Sequence, residues 1–325
     1  MGVAIRGTGS ALPEKVLTNF DLEKMVDTTD EWIRQRTGMR ERHIAEKETV
    51  PSLAAAACER ALENAGKKAE DVELIIVATC TTEMLLPCAA CRVQQMLGAE
   101  KAIAFDLNAA CGGFLFALNT AHHYIASGAC KNALIVGSEV LSEIIDWTDR
   151  STCVLFGDGA GAVYVEETEA GGGSGIIGMS QGSSGMNGRL LYCRGRVVKG
   201  VTEPEINSDD LIVHMNGGDV FKFAVRQVPV CINKALEMAG VVPEDIDLFI
   251  LHQANSRIIE AIAKTLKADI EKFPMNIERM GNTSSASIPI LLDELNRAGK
   301  IEKGQKVVLS GFGAGMTFGA CAMVW

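Results

Sequence analysis

The chain has 325 residues, a formal net charge of −10 at pH 7 and a hydrophobic fraction of 47%. This length and composition indicate a globular protein of roughly two domains whose core needs no disulfide or metal. The acidic balance and the aromatic content of 5% argue against a nucleic-acid-binding protein, which presents a basic surface and stacks bases on aromatic rings.

The sequence shows neither a targeting segment nor a membrane span. Its first residues lack a basic region followed by an apolar stretch, and no apolar run approaches the ~18 residues of a membrane helix. We therefore expect a cytoplasmic protein with no membrane partner, in which the ten cysteines are free thiols. Cys88 and Cys91 form a C-x-x-C pair without the second pair of ligands that zinc needs, so no metal site is expected.

An internal repeat organises the chain. Residues 61–80 and 235–254 are identical at 9 of 20 positions when the two segments are aligned without gaps. Each segment reads as a helix that ends at a glycine, Gly66 or Gly240, followed by an acidic turn and a buried strand. The repeat predicts that one α/β unit occurs twice.

A second match extends the repeat. The apolar strands at 133–137 (ALIVG) and 307–311 (VVLSG) keep the same offset in residue number as the first pair of segments. We therefore predict two similar halves, residues 1–172 and 173–325. Helices that alternate with short apolar strands pack on sheets, so the predicted fold is an α/β body with five layers in the order α-β-α-β-α.

Two glycine-rich motifs test a competing architecture, a pair of dinucleotide-binding units. GDGAG at 157–161 and GFGAG at 311–315 are similar to dinucleotide loops, which must open a helix. The segments that follow read as strands, so both motifs are predicted to be hairpin turns. This context disfavours the dinucleotide-binding fold.

Cys111 lies where a predicted strand passes into a predicted helix. FDLNAA at 105–110 reads as a strand end, and apolar residues continue at helical spacing after the two glycines that follow the cysteine. A helix N-terminus lowers the pKa of a thiol, and the glycines leave backbone N–H groups free to stabilise an oxyanion. Cys111 is therefore a candidate nucleophile, and the alternative is an inert core cysteine.

Two polar residues of the second half are candidate partners of this thiol. His252 follows a buried strand at the position of Ala78 in the first copy, where a polar side chain is costly unless it is used or well paired. Asn282 lies shortly before Ser285, the counterpart of Cys111. A pseudo-twofold relation would let the three side chains converge. His252 also fits a paired core residue, and Asn282 a helix cap.

Cysteine, histidine and asparagine together support two kinds of chemistry. In a papain-like hydrolase the histidine activates the thiol and the asparagine orients the histidine. In a condensing enzyme the cysteine accepts an acyl group from a thioester, and the other two residues donate hydrogen bonds to a carbonyl while decarboxylation generates an enolate. The three residue types alone leave both possibilities open.

Six longer motifs lie along the chain, namely TDEWIRQRTGMRER at 29–42, AACGGF at 109–114, DWTDRSTCVLFGDGAGAV at 146–163, HQAN at 252–255, GNTSSAS at 281–287 and GFGAG at 311–315. With these motifs in this order, the whole chain resembles the β-ketoacyl-[acyl-carrier-protein] synthase III family of thiolase-like condensing enzymes. The resemblance implies a thiolase-like fold, in agreement with the duplication. It also implies transfer of an acyl group from a short acyl-CoA, such as acetyl-CoA, to a cysteine, followed by condensation with malonyl-carrier protein and release of CO2.

The resemblance implies roles for the candidate residues. Cys111 would accept the acyl group, and His252 and Asn282 would stabilise the thioester carbonyl of malonyl-carrier protein as CO2 leaves. The backbone N–H groups of Cys111 and Ala314 would form the oxyanion hole. No resident cofactor is expected, because the CoA thioester is a substrate.

The resemblance also implies where acyl-CoA binds. Trp32 would stack on the adenine with Arg150 opposite, and Arg36 and Thr37 would contact the phosphate end. An indole and a guanidinium can sandwich a purine, and arginine binds phosphate well, although ordinary surface packing also explains such residues. Leu86 falls where the family places a bulky residue lining the primer pocket. Many members have phenylalanine there, so the size of the accepted acyl group stays open.

Two protein partners are implied as well. The carrier protein of this family is acidic, so we expect a basic docking site made of Lys222, Arg226, Arg257, Lys264 and Lys267. A local cluster steers association whatever the net charge of the chain is. The alternative is a solvated helix face. The family pairs through the edge of its central sheets, so a homodimer is expected.

Other functions fit part of these features. A ketosynthase III-like acyltransferase of secondary metabolism shares the three catalytic residues, and a non-catalytic α/β scaffold shares the duplication. Thiolases use a second cysteine as base, and GFGAG carries none. The segment 183–208 is longer than in the shorter members of the family, and the sequence assigns it no role.

Overall fold

The computed structural model describes residues 2–169, 173–195 and 211–325, and each half of the chain builds one central sheet. The elements of the first half are β1 (Gly2–Ala11), β2 (Val16–Thr18), α1 (Asn19–Leu22), α2 (Asp30–Thr37), β3 (Glu41–His43), α3 (Val50–Ala65), β4 (Leu74–Ala78), α4 (Ala89–Leu97), β5 (Ile103–Leu107), α5 (Gly113–Ala126), β6 (Asn132–Glu139) and β7 (Gly159–Thr168). Those of the second half are β8 (Gly175–Gly182), β9 (Leu191–Tyr192), β10 (His214–Met215), α6 (Gly217–Ala239), β11 (Leu248–Leu251), α7 (Ser256–Leu266), α8 (Ile277–Met280), α9 (Ser287–Arg297), β12 (Lys306–Gly313) and β13 (Thr317–Val324).

The two central sheets are mixed. In the first, ordered β1-β7-β6-β4-β5, β4 runs parallel to β5 and β6, and β7 runs antiparallel to β1 and β6. In the second, ordered β11-β12-β13-β8, β11 and β12 are parallel and the other pairs antiparallel. The first and last residues of β6 and β12 are related by the offset of the sequence repeat. The sequence repeat is therefore a repeat of structure.

The helices of the repeat end where the sequence predicts. α3 begins after Thr49, whose hydroxyl accepts a hydrogen bond from the Ser52 N–H, and it ends at Gly66 with φ +65°. α6 ends at Gly240 with φ +67°. Glycine adopts this left-handed backbone without a steric penalty because it has no Cβ, so the same residue type stops the same helix in both copies.

The elements stack in the five layers that the sequence predicts. α3 and α4 cover the outer face of the first sheet, in a core that includes Leu53 and Tyr164. α6 and α7 cover the outer face of the second sheet around Phe249. α5 and α9 lie between the sheets, in a core that joins Leu118 to Leu309. Each buried leucine or phenylalanine stabilises the fold by about 1.5–3 kcal/mol. Because the central layer packs against both sheets, burial on each of its two faces stabilises it.

The central layer contains two very close backbone approaches between the halves. A Cβ at Gly137 of β6 would lie 2.3 Å from the carbonyl oxygen of Ser285, in the turn before α9. A Cβ at Gly313 of β12 would lie 2.5 Å from the amide nitrogen of Cys111, in the turn before α5. Since any Cβ would overlap these backbone atoms, glycine lets the turn of each half lie against the strand of the other.

The two turns have the same local conformation. Ala110 and Ser284, which are equivalent positions of the repeat, have φ +49° and +50°. The side-chain oxygens of Asn108 and Asn282 accept the N–H groups of these residues at 3.1 and 2.9 Å. Asparagine forms such local turns readily, so this contact is a shared structural feature of both copies.

One hairpin prediction is confirmed and the other is wrong. GFGAG joins β12 to β13 through a 3-10 turn at Ala314–Met316. Gly159 and Gly161 of GDGAG instead lie at the start of β7, and Gly157 lies in the irregular segment before it, which is not a paired strand. A Cβ at Gly161 would lie 2.5 Å from the Ile290 amide nitrogen of α9, so close helix packing accounts for that glycine.

Parts of two sequence interpretations fall beyond the described residues. The boundary predicted between 172 and 173 adjoins residues 170–172, which lie outside them. Of the segment 183–208 the structure describes residues 183–195, which include β9, and the remainder lies outside. Within the described ranges, no helix is both long and apolar enough to cross a bilayer.

Candidate active site

Cys111, His252 and Asn282 line one cavity of about 590 Å³. Cys111 lies in a short 3-10 turn between β5 and α5, the strand-to-helix junction that the sequence predicts, and it is 8% exposed. His252 directly follows β11, and Asn282 precedes the turn that begins α9. The structure therefore brings together three side chains that are far apart in sequence.

The surroundings of His252 determine its tautomer. Its Nδ1 lies 2.6 Å from the hydroxyl oxygen of Ser287. The same oxygen accepts the Gln253 N–H at 3.3 Å, so the Ser287 proton is available to Nδ1. A neutral imidazole that accepts at Nδ1 carries its own proton on Nε2. His252 is thereby a hydrogen-bond donor at Nε2.

His252 stays uncharged in this environment. Burial lowers the pKa of His252 to about 3. The ring of Phe312 packs edge-on against the imidazole, with 5.5 Å between the ring centroids. Within the described ranges no acidic side chain forms an ion pair with His252, so an imidazolium would lose its hydration without compensation and the neutral form is favoured.

Asn282 offers a second N–H donor. Its side-chain Oδ1 accepts the Ser284 N–H at 2.9 Å, which assigns the amide orientation and leaves Nδ2 as the donor. Its backbone is held by hydrogen bonds with Leu155 and Gly157 at 2.9 and 3.0 Å. Asn282 therefore has a local turn role and, in addition, an amide N–H group at the cavity.

The backbone groups expected to form an oxyanion hole are close together. Gly313 lines the cavity. It lies so close to the amide nitrogen of Cys111 that the Cβ of any other residue would overlap that atom. Ala314 follows it directly and begins the 3-10 turn. The structure thus places both backbone segments beside Cys111.

The expectation of a lowered thiol pKa is wrong. Burial raises the pKa of Cys111 to about 12, while a hydrogen bond from Ser284 lowers it and the Glu139 carboxylate raises it. Desolvation of a thiolate in this core outweighs the favourable field at the start of α5. Cys111 is consequently a thiol at rest, and its attack on a carbonyl needs a proton acceptor.

Trp32 and the residues expected to bind CoA with it line the same cavity. The guanidinium carbon of Arg150 lies 4.9 Å from the Trp32 ring centroid, and that of Arg36 lies 5.7 Å away. Arg150 thus covers the indole directly and donates to the Asp27 carbonyl at 2.7 Å. A purine can be stacked between the two only after the exposed Arg150 side chain rotates.

Thr37 lines the cavity, but its hydroxyl is engaged within the protein. It donates to the Ile33 carbonyl at 2.6 Å and accepts the Met39 N–H at 3.0 Å, so it closes the end of α2. The amide of Asn255 donates to the Arg36 carbonyl at 2.9 Å. This bond ties α2 of the first half to the start of α7 in the second.

Leu86 does not line the cavity. Its side chain is 84% exposed, and the neighbouring Leu85 is 78% exposed. Both lie on the segment that leaves the C-terminal end of β4, beside the exposed edge strand β5. Within one chain, Leu86 is therefore a surface residue outside the cavity that contains Cys111.

The expected docking cations fall into two groups. Lys222 and Arg257 line the cavity, and Arg226 lines an adjacent groove together with Lys222. Lys222 also pairs with Asp219 of its own helix at 2.9 Å. Lys264 on α7 and Lys267, which follows its last residue, are exposed about 10 and 15 Å from Arg257 along the helix axis.

Four residues that shape the site were missed by sequence reasoning. Ser284, Ser287 and Phe312 lie within the recognised motifs but were given no role. Glu139 lies at the C-terminal end of the buried strand β6. A polar residue at the exit of a buried strand is the signal that selected His252, and it could have selected Glu139 as well. In the described ranges, no group of three or more His, Cys, Asp or Glu side chains could hold a metal ion.

Two protein-family models match the chain. One, described as 3-oxoacyl-[acyl-carrier-protein (ACP)] synthase III, matches residues 105–185. The other, described as the C-terminal part of the same enzyme, matches residues 236–325. The first includes Cys111, and the second includes His252 and Asn282.

Full-length relatives agree with these matches. The β-ketoacyl-[acyl-carrier-protein] synthase III of Clostridium acetobutylicum is 48% identical, over 99% of this chain and 98% of its own. The crystal structure of 3-oxoacyl-[acyl-carrier-protein] synthase III from Aquifex aeolicus has a TM-score of 0.93 and 45% identity, covering 100% of both chains. The priming β-ketosynthase of the R1128 polyketide pathway has a TM-score of 0.92 and 36% identity, covering 99% of this chain and 96% of its own. The five-layered architecture is the thiolase-like fold of these enzymes.

We expect the neutral, buried state of His252 to appear in the pH dependence of stability. Because folding lowers the pKa of this residue from 6.5 to about 3, the unfolded chain binds more protons between those values. The contribution of neutral His252 to the free energy of unfolding is fully present above pH 6.5. It is lost as the pH falls, by up to about 1.4 kcal/mol per pH unit. Urea unfolding of wild type and His252→Gln at about pH 7 and about pH 5 measures it.

Between about pH 7 and about pH 5, the free energy of unfolding of His252→Gln should fall less than that of the wild type. His123→Gln is the matched control, because it changes an exposed histidine of α5 and should keep the wild-type difference. Equal differences for wild type and His252→Gln would show that His252 is not held neutral by folding.

Proposed function

Because the chain belongs to the β-ketoacyl-[acyl-carrier-protein] synthase III family, we propose that it starts fatty-acid synthesis by condensing a short acyl-CoA with malonyl-carrier protein. The observation that carries this proposal is that one buried thiol and two side-chain N–H donors line the same cavity. Relatives that carry the synthase III name reach 48% identity, whereas the polyketide priming ketosynthase reaches 36%, which favours the fatty-acid reaction over a role in secondary metabolism.

The first step is acyl transfer to Cys111. The sulfur attacks the thioester carbonyl of acyl-CoA, and the carbonyl oxygen gains negative charge as the tetrahedral intermediate forms. In the proposed step the N–H groups of Cys111 and Ala314 stabilise that oxygen, and the intermediate collapses with loss of CoA, which leaves as a thiol, so the proton that Cys111 gives up is balanced by the one that CoA gains. Fixed backbone donors need no rearrangement while the charge develops, which lowers the barrier.

The second step is condensation. The thioester carbonyl of malonyl-carrier protein accepts hydrogen bonds from Nε2–H of His252 and Nδ2–H of Asn282, which stabilise the enolate as CO2 leaves. The enolate carbon attacks the acyl carbonyl on Cys111, and the sulfur departs as a thiolate to give 3-ketoacyl-carrier protein. The thiolate then takes up one proton, which restores the resting thiol. Two neutral donors suit this step because they stabilise the enolate oxygen without transferring a proton to it.

The geometry does not favour a papain-like hydrolase. In that mechanism the asparagine orients the histidine, whereas Oδ1 of Asn282 accepts the Ser284 N–H and Ser287 orients His252. The imidazole also holds its proton at Nε2 and is a weak base, since burial lowers the pKa of His252 to about 3. It therefore fits a hydrogen-bond donor better than an acceptor for the thiol proton.

Two substitutions separate the steps of the proposed reaction. Cys111→Ser should abolish covalent labelling by radiolabelled acetyl-CoA, because a serine hydroxyl is a far weaker nucleophile at this buried position. His252→Ala should keep the labelling and slow condensation by roughly 10²- to 10³-fold, as expected when one donor to a developing oxyanion is lost. Intact-protein mass spectrometry and CO2 release measure the two steps.

Persistent labelling of Cys111→Ser would refute the assignment of the nucleophile. Condensation at the wild-type rate in His252→Ala would refute the role of the histidine but leave that of the thiol intact. Repeating the labelling with acyl-CoAs of increasing length and branching would define which primer the enzyme accepts.

We further propose that the two substrates use different surfaces of the cavity mouth. Trp32, Arg36 and Arg150 present an aromatic face and two cations, which suit the adenine and phosphates of CoA. Lys222, Arg226 and Arg257 border the cavity and the adjoining groove of the second half. These cations suit an acidic carrier protein whose prosthetic arm enters the cavity.

A reciprocal pair of variants tests this division. Trp32→Ala should raise KM for acyl-CoA about tenfold through the loss of stacking and leave KM for malonyl-carrier protein unchanged. Arg226→Glu should raise KM for malonyl-carrier protein on the order of tenfold and leave KM for acyl-CoA unchanged. This increase in KM should be smaller at high salt. A variant that affects both substrates equally, or a defect of Arg226→Glu that is independent of salt, would contradict the assignment.

We also propose that two chains pair through β5. This strand forms an edge of the first sheet, and Ile103 on it is 50% exposed. Met84, Leu85, Leu86 and Met96 add further exposed apolar surface from the adjoining segment and α4, at 42–84% exposure. An uncovered edge strand beside apolar side chains is a ready site for pairing. In such a dimer Leu86 is carried to the interface, where it can reach the primer pocket of the other subunit.

Sedimentation equilibrium tests the pairing. The wild type should sediment as a dimer, and Ile103→Asp should shift it toward monomer because the strand edge would then bury a carboxylate. Met186→Asp is the matched control, since Met186 is 96% exposed and lies on a turn of the second half. A wild-type monomer, or dissociation of both variants alike, would contradict pairing through β5.

A further inference from the structure

Arg42 carries a fully buried guanidinium group for which the proposed reaction has no use so far. It is the last residue of the motif TDEWIRQRTGMRER, lies on β3 and is 0% exposed. Within the described ranges no acidic side chain forms an ion pair with it, and its Nε has no hydrogen-bond partner. Burial lowers the pKa of Arg42 to about 10, so the group is still charged at pH 7. A buried charge is costly, so its remaining contacts show what holds it in the core.

The two terminal nitrogens of Arg42 bind different parts of the protein. Nη2 donates to the Val154 carbonyl at 2.7 Å. Nη1 donates to the side-chain oxygen of Asn19 at 2.8 Å, and the Leu17 carbonyl lies 3.4 Å from the same nitrogen. Hydrogen bonds from a charged donor are stronger than those between neutral groups. Arg42 therefore links two segments that are far apart in sequence.

The side chain of Asn19 extends this link to both ends of α2. Its Nδ2 donates to the Asp30 carboxylate at 2.9 Å, and Asp30 is the first residue of the helix. The same nitrogen donates to the Met39 carbonyl at 2.8 Å, just beyond the end of the helix. Asn19 accepts from Arg42 at Oδ1, which assigns its amide orientation. The helix that carries Trp32 is thus held at both ends through one buried amide.

The bond to Val154 holds the other side of the cavity mouth. Val154 directly follows a tight turn in which the Cys153 N–H donates to the Asp149 carbonyl at 3.0 Å. Arg150 lies inside that turn, and Arg150 and Val154 both line the cavity. Because the turn closes on itself immediately before Val154, a fixed Val154 carbonyl also fixes the backbone from which the Arg150 side chain extends.

We propose that Arg42 is a positioning residue of the CoA site, because it sets the spacing between Trp32 on α2 and the backbone of Arg150. This inference rests on the proposed function, since it takes the ligand between these two residues to be the nucleotide of CoA. Entry of the adenine needs rotation of the Arg150 side chain, which now lies 4.9 Å from the Trp32 ring centroid. The two backbones must keep their spacing during that rotation if both faces of the purine are to be covered. Arg42 can hold it from the core, because Arg42 itself does not line the cavity.

The aliphatic stem of Arg42 has a separate packing contact. A Cβ at Gly157 or at Gly281 would lie 3.1 Å from the Cβ of Arg42, so the stem packs beside the segment that leads to Asn282. Methionine keeps an unbranched stem of similar length and lacks the guanidinium. Arg42→Met therefore removes the two hydrogen-bonded links and keeps the packing near Asn282.

Acylation of Cys111 by two thioesters separates positioning from a general effect on structure. Acetyl-CoA carries the adenosine nucleotide, whereas acetyl-pantetheine has the same reacting end and lacks the nucleotide. Intact-protein mass spectrometry of samples quenched at successive times gives a second-order rate constant for each thioester. We expect the wild type to react faster with acetyl-CoA, because binding of the remote nucleotide contributes to stabilising the transition state.

Arg42→Met should lower the rate constant for acetyl-CoA on the order of tenfold, because a displaced stacking pair binds the nucleotide less well. The rate constant for acetyl-pantetheine should stay at the wild-type value, since that thioester does not reach Trp32 or Arg150. A merely structural role of Arg42 would lower both rate constants alike. Equal losses with the two thioesters, or no loss with either, would overturn the inference.

Asp30→Ala tests the same link at a less buried position, where the side chain is 20% exposed. It breaks the bond from Asn19 to the start of α2 and leaves both bonds of Arg42 in place. We expect the rate constant for acetyl-CoA to fall several-fold, on the order of the effect of Arg42→Met, with acetyl-pantetheine unaffected. This variant keeps the inference open to refutation even if Arg42→Met does not fold.

Glu31→Ala is the matched control for Asp30→Ala. Glu31 is the next residue of the same helical turn, is exposed, and accepts the Gln35 amide at 2.9 Å without contacting Asn19. Both variants remove one negative charge from the start of α2, so a change in attraction for the CoA phosphates is the same in each. Equal rate constants for acetyl-CoA in the two variants would overturn the inference.

Failure of this inference and failure of the proposed function give different results. Absence of any acyl-enzyme from acetyl-CoA in the wild type would overturn the proposed function and this inference with it. Equal wild-type rate constants for acetyl-CoA and acetyl-pantetheine would overturn only the inference. The nucleotide would then have no binding role, while acyl transfer to Cys111 would stand.

Discussion

The close contact between the two halves at the centre of the molecule is the constraint on which the rest of the structure depends. The turn before α5 lies against the end of β12, and the turn before α9 lies against β6. Glycine at positions 137 and 313 allows backbone atoms of opposite halves to approach within van der Waals contact. Because both helices are buried between two sheets, neither turn can withdraw without opening the central core. Cys111 and Asn282 therefore lie in or directly before turns that the packing between the two halves holds in place.

The chemistry arises because the two copies differ at equivalent positions of this contact. Cys111 corresponds to Ser285, and His252 corresponds to Ala78. Glu139 corresponds to Gly313, so one strand end supplies a carboxylate where the other supplies room for the Cys111 backbone. The backbone stays the same in both turns while the side chains diverge. In the proposed reaction the first half supplies the thiol of Cys111, and the second half supplies the N–H donors of His252 and Asn282.

Desolvation sets the protonation states in this site. It favours the neutral form of each ionisable group, so Cys111 is a thiol and His252 an uncharged imidazole. A neutral imidazole and an amide can stabilise an enolate oxygen at a thioester without competing for a proton. The same desolvation makes formation of the Cys111 thiolate costly. Burial thus explains both the strength of the donors and the need for a proton acceptor.

The amino-acid sequence by itself determined the repeat, the five layers, the helix ends at Gly66 and Gly240 and the three side chains that meet in the cavity. These features are readable because hydrophobic periodicity, glycine caps and long motifs are local in sequence. Only the tertiary structure decided the direction of the Cys111 pKa, the tautomer of His252, the exposure of Leu86 and the place of Glu139 beside Ser284. Each of these depends on what surrounds a side chain from distant parts of the chain. The helix start that favours a thiolate is visible in the sequence, whereas the burial that opposes it exists only once the two halves have packed together.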